Sequence, residues 1–161
     1  MRQILLPLLI GTLLFFASCN KKVLIDDTHT FANDTWNRFT PEVYNVDADN
    51  IDDCYNFFFT VEIDTLRYEG KQLPIMVNIF SPAGEQRQIS YTLLLKDKDG
   101  HWTGEWHDGR LSHTRCIRQY FFFNTTGAFR FEITQTTPRY DLHGIHSAQL
   151  RIEQAKLEYP K

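Results

Sequence analysis

Six histidines are the first residues in this chain that invite chemistry. His101, His107 and His113 are evenly spaced, and His143 and His146 stand three apart. A three-residue separation brings two imidazoles onto one side of a helix, where they can share a metal ion. Gly144 interrupts that pair and its surroundings have strand character, so a helix there is not expected. The histidines therefore read as surface or loop residues, and no metal is assigned. The sequence contains no phosphate-cradling glycine loop, nucleophile elbow, zinc-protease helix or paired-cysteine metal motif. Its acidic pairs, Asp26-Asp27 and Asp52-Asp53, are sequence neighbours whose side chains diverge, which suits solvated loop charge better than shared acid and base work. No catalytic residue and no cofactor are assigned, and an enzyme is not expected.

One pair of residues could carry binding chemistry, and three short motifs resemble modification signals. Trp102 and Trp106 bracket Thr103-Gly104-Glu105. In an extended segment they share a face about 13 Å apart, a spacing on which a sugar chain could stack. The plainer reading has both indoles roofing the core under a loop. Asn33-Asp34-Thr35 and Asn124-Thr125-Thr126 fit the asparagine-glycosylation pattern but read as turn chemistry, and Asp64-Thr65-Leu66 resembles a short O-glycosylation signal of exported bacterial proteins.

The strongest single signal is Cys19. Met1, Arg2 and Gln3 precede an apolar run over residues 4–16, too short for the roughly 20 apolar residues of a stable membrane span. Ala17 and Ser18 then lead into Cys19. That order is an export signal ending in a lipobox, Phe16-Ala17-Ser18-Cys19, in which the thiol is alkylated with diacylglycerol before cleavage in front of it. Residues 1–18 are accordingly the signal peptide, 19–35 a lipidated tether rich in Asp and Lys with a reach on the order of 20 Å, and 36–161 the domain. With Cys19 assigned to lipid, Cys54 and Cys116 are an even pair in a compartment that tolerates disulfides. They form either one bridge or two separate buried thiols.

Seventeen basic residues against twenty acidic ones give a net charge of −3, so the electrostatic footprint of a nucleic-acid partner is missing. From Trp36 onward the hydrophobic period is two. Tyr55, Phe57, Phe59, Val61 and Ile63 alternate with more polar residues, and the pattern returns at residues 75–79, 89–95, 129–133 and 150–152. The run Tyr120-Phe121-Phe122-Phe123 is apolar on both faces and reads as a central strand. Turn clusters at residues 81–84, 96–100 and 124–127 separate these runs. Seven or eight short strands without crossover helices predict an all-β fold, an antiparallel β-sandwich with the jelly roll as its variant.

His101-Trp102-Thr103-Gly104 after the turn Asp99-Gly100, the stretch from Gly127 through Phe129, Phe131 and Ile133 to Gln135, the early Trp36 to Phe39 segment and Arg139-Tyr140-Asp141-Leu142-His143-Gly144-Ile145 carry a further reading. In this order, behind a lipobox, they resemble the GldH-type gliding-motility lipoproteins over nearly the whole mature chain. The resemblance implies a non-enzymatic, membrane-anchored component acting with other envelope proteins of gliding and the linked protein-secretion apparatus. It brings no catalytic residues. The alternative is a glycan-binding lipoprotein using Trp102 and Trp106. Asn20-Lys21-Lys22 lacks the acidic residues that surface-exported lipoproteins of gliding-type bacteria tend to carry behind the cysteine. This favours the periplasmic face of the outer membrane, with the two lysines adding roughly 1 kcal/mol each of attraction to an anionic leaflet.

Overall fold

The structure is a computed structural model that describes residues 21–156. Cys19 and the signal over residues 1–18 lie outside the described residues. The described residues form eleven strands: β1 (Val23–Thr30), β2 (Thr35–Asn37), β3 (Glu42–Ala48), β4 (Cys54–Ile63), β5 (Gln72–Phe80), β6 (Gln86–Leu94), β7 (Glu105–His107), β8 (Arg110–Phe122), β9 (Gly127–Gln135), β10 (Asp141–His143) and β11 (Ile145–Gln154). One sheet runs β1-β11-β4-β8-β7, the second β3-β9-β5-β6, and β2 with β10 forms a small third ladder. Every pairing is antiparallel. Counting only the eight strands longer than three residues, the two sheets read one-eight-three-six and two-seven-four-five. That is jelly-roll order, the sandwich variant anticipated from the strand spacing.

Period-two patterning becomes inside and outside as expected. Tyr55, Phe57, Phe59, Val61 and Ile63 of β4 are fully buried. They meet Phe129, Phe131 and Ile133 of β9 and Leu73, Ile75, Val77 and Ile79 of β5 across the sandwich, in one continuous core. The run read as a central strand is corrected. Phe121 and Phe123 point into the core, while Tyr120 and Phe122 are 49% and 45% exposed. β7 pairs with β8 only over Arg110–Ser112, so the rest of β8 is an open edge rather than a sheet centre. Four aromatics in a row cannot reveal this, because the outward two sit on an edge that excludes no water.

The tether boundary is corrected as well. Residues 23–30, read as part of the tether, are β1, in register with β11 from Val23↔Glu153 to Thr30↔Ser147. Leu24 and Ile25 pack on the core, and Phe31 is buried beside Trp36, ring centroids 5.1 Å apart. The strand is disguised by Asp26 and Asp27, exposed charges of the kind that keep an edge strand from recruiting further strands.

Cys54 and Cys116 are free thiols. They occupy neighbouring strands, but Cys54 faces Phe122 and Cys116 faces Phe58. Four residues of strand rise separate the two positions, about 13 Å, far beyond the roughly 6 Å between Cα atoms that a disulfide spans. Of the two alternatives, separate thiols are what the fold holds. Burial pushes the Cys116 thiol up from its ordinary value. With Cys54 buried, Cys116 should react first with a maleimide under native conditions and Cys54 only on unfolding. Mass spectrometry of the labelled, unreduced protein checks this, and a mass lower by two hydrogen atoms with no labelling at either site would contradict it.

Candidate functional site

The two ends of the sandwich differ in kind. At one end the chain enters β1 and leaves β11, where Gln154 N–H donates to the Lys22 carbonyl at 2.7 Å and Ala155 N–H to the Cys54 carbonyl at 2.8 Å. At the other end the connections after β1, β4, β6, β9 and β10 converge. Gly144, with φ of +86°, knots three of them: its N–H donates to the Asp34 carbonyl at 2.8 Å and its carbonyl accepts from Asp64 N–H at 2.9 Å. A Cβ there would lie 2.5 Å from the Tyr68 backbone nitrogen, so only glycine fits.

This knotted end holds a cleft of about 370 Å3 whose lining includes Tyr68, Gln72, Thr137, Arg139, Leu142 and His143. Its walls are fixed by buried polar contacts. The Gln135 side chain, fully buried, donates to the Arg139 carbonyl at 3.0 Å and accepts from Thr137 N–H at 2.9 Å. The Tyr68 hydroxyl donates to the Gln72 carbonyl at 2.8 Å, and burial pushes its pKa up to about 12. Arg139 pairs with Glu69 across the rim at 3.0 Å. Beside the cleft β2 and β10 pair, and just past them Arg38 N–H donates to the Tyr140 carbonyl at 2.7 Å. This bond seats Phe39 against Tyr140, ring centroids 5.3 Å apart. Both rings face solvent, at 71% and 65% exposure, and Leu66 in the neighbouring loop is 94% exposed. A rigid backbone carrying three exposed apolar side chains around a cleft matches the apolar anchors of a protein docking surface.

A second hollow, about 250 Å3, lies on the outer face of the first sheet among the hydroxyls of Thr28, Thr30, Thr60, Ser112 and Ser147 and the carboxylate of Glu62. At its end Asp34 receives a 2.7 Å contact from His146 Nδ1, with Arg67 at 3.4 Å and Arg110 at 3.8 Å. The His146 hydrogen bond, then the arginine charges, hold the Asp34 carboxyl below its ordinary value. Asn33 and Asp34 both take left-handed φ, 55° and 50°, which aims the carboxylate inward. The cluster ties the β1 to β2 connection to β11.

The residues singled out in the sequence are scattered over this frame. Trp102 and Trp106 do not share an extended strand. Trp102 bridges to Lys96, lies under its Nζ at 4.1 Å and packs on the core, whereas Trp106 sits on β7 opposite Leu111 and is 56% exposed. Gly104 between them turns at φ +144° against the Ser112 carbonyl and breaks the line. Of the histidines, exposed His101 groups with Asp97 and Asp99 on one turn, the one place among the described residues where three potential metal ligands approach one another.

His113 overturns the surface reading, being fully buried on β8. Its Nδ1 must carry the proton, because it contacts the Thr103 carbonyl, which can only accept. Nε2 is then left buried without a partner. Burial, mainly, lowers its pKa below the usual 6.5. A lowered histidine stabilises the fold above 6.5, and that contribution is lost as pH falls through the folded value. Urea midpoints should therefore decline below about pH 6.5, before the Asp34 contribution is lost below its unfolded value of 3.8. His113→Phe should flatten the first decline alone; an unchanged slope in that variant would contradict the assignment.

Sequence reasoning missed the cleft, although two of the segments that carried the resemblance, Trp36 to Phe39 and Arg139 to Ile145, are the ones β2 and β10 bring together. A family model described as GldH lipoprotein matches residues 23–152. The chain belongs to the GldH lipoprotein family. The match begins at the first residue of β1 and ends within β11, so it spans the jelly roll and includes the strand first read as tether. Comparison with curated proteins and with solved structures returned no match. Membership makes this GldH-family protein a membrane-anchored envelope protein.

Proposed function

We propose that the protein is a non-enzymatic component of the gliding and linked secretion machinery, lipidated at Cys19, held on the periplasmic face of the outer membrane, and docking an envelope partner through the knotted end. The observation that carries this is polarity. Lys22 pairs with β11 at the end of the sandwich opposite the cleft, and Cys19 precedes Lys22 by only three residues. An anchor at Cys19 holds one end near the bilayer and presents Phe39, Leu66 and Tyr140 away from it. The β1 strand, eight residues long, spans about 26 Å between the two ends.

The two lysines contribute less to the anchor than their position suggests. Lys21 is paired with Glu153 and Lys22 with Asp49, so their charge is answered within the domain. Retention rests instead on the acyl chains, two of which suffice for stable anchoring.

The test is complementation of a gene deletion scored for colony spreading and protein secretion. Wild type should restore both. Cys19→Ala should leave the membrane fraction and fail, and Phe39→Ser with Tyr140→Ser should reach the membrane and fail. Normal spreading and secretion in the deletion strain would remove the motility role while leaving the lipoprotein intact.

A further inference from the structure

Of the exposed apolar side chains other than Val23, Leu94 and Trp106, three gather at each end of the sandwich. Phe39, Leu66 and Tyr140 surround the cleft, whereas Ile51, Tyr120 and Phe122, between 45% and 49% exposed, lie at the anchor end. Ile51 is in the loop whose Asp49 pairs with Lys22, and Phe122 faces Cys54 in register. Tyr120 has φ of +51°, rare and costly for a bulky residue, with its N–H held by Asn56 Oδ1 at 3.1 Å. The strain turns an aromatic ring outward where the open edge of β8 reaches this end.

We propose that Ile51, Tyr120 and Phe122 form a seat that rests in the interfacial layer of the bilayer. This rests on the Cys19 anchor of the proposed function. Only Asn20 separates Cys19 from Lys21, and the two backbone steps between them span at most about 7 Å, so the end of the domain bearing Lys21 lies at the headgroups. The anchor leads into β1, at one edge of its sheet, and Phe122 is on β8, three strands across, about 14 Å away. A single tether leaves a domain free to tilt, and a second contact that far off fixes it upright with the cleft outward. Aromatic rings with one wet side suit the membrane interface. Asp52 and Asp53 directly follow Ile51, and Lys21 and Lys22 are already paired, so the seat's affinity is apolar and needs no anionic lipid.

The experiment uses lipidated mature protein reconstituted in phosphatidylethanolamine and phosphatidylglycerol vesicles with brominated acyl chains. A tryptophan is added as Phe122→Trp, as Ile51→Trp in case the strand position perturbs folding, or as Leu66→Trp at the far end. All three variants should float with the vesicles. Emission added at positions 122 and 51 should be blue-shifted and quenched several-fold more than that added at 66, and lowering the phosphatidylglycerol fraction should not change this. Flotation with equal quenching at all three positions overturns the seat and leaves the anchor standing. Failure to float overturns anchor and seat together. Unquenched positions 122 and 51 in a protein that crosslinks to itself there would assign the patch to a second copy and likewise overturn the seat.

Discussion

Phe57→Ala is expected to lower the unfolding free energy by roughly 3–5 kcal/mol, the usual cost of emptying a large buried aromatic site. Phe57 is fully buried and lies 4.8 Å from Phe121, 5.5 Å from Phe131 and 6.5 Å from Phe123, ring centre to ring centre. These contacts join both sheets, so the cavity cannot close by movement of one strand. The loss is a large part of the roughly 5–15 kcal/mol that holds a domain of this size together. Phe58 is the internal control. It is next along the chain but on the outer face, half-buried beneath the Arg151 guanidinium 5.0 Å away. Phe58→Ala should cost only about 1 kcal/mol, the scale of an exposed cation–π contact and its cover. Urea unfolding of the two variants reads the difference as a midpoint shift at constant slope. Equal losses would mean that the alternation along β4 does not set inside and outside.

Removing β1 should do more. A chain starting at residue 36 should lose cooperative unfolding and aggregate, whereas one starting at Lys21 should melt as the mature protein does. Without β1, the edge of the sheet becomes β11, ten residues whose buried members include Ile145, Ala148, Leu150 and Ile152. A long apolar edge with unpaired backbone groups recruits other chains. Phe31, stacked on Trp36, would be lost too, opening the core at the cleft end. Calorimetry and size-exclusion chromatography on the two chains distinguish a strand from a tether; identical melting would restore the tether reading.

How much of this was legible in the sequence follows from what kind of signal each element leaves. β4, β5, β9 and β11 each bury one face, and their period-two runs announce them. β1 buries little, so Asp26 and Asp27 dominate its composition and conceal it. His113 could not be told from the exposed histidines, because an isolated polar residue at an inward position looks like any other until its neighbours are known. Nor could the cleft be seen. Its walls come from residues 68–72 and 137–143, held by a bond from Arg38 to Tyr140 about a hundred positions along the chain. Glycine marked the place, since Gly144 fits no other side chain, but its three partners are far away in sequence. The separation of Cys54 and Cys116 likewise depends on a register that no spacing rule supplies.

In the proposed function, the end of the sandwich opposite the Cys19 anchor docks a protein partner. Photo-crosslinking in living cells tests it directly, with a photo-reactive phenylalanine at position 39, 66 or 140, or at exposed position 88 on the β6 edge as control. Positions 39, 66 and 140 should give the same envelope-protein adduct, position 88 should not, and the adduct should vanish when Cys19→Ala releases the protein from the membrane. Adducts of equal yield from position 88, or none from the three cleft-end positions in a protein that is folded and membrane-bound, would contradict the docking role.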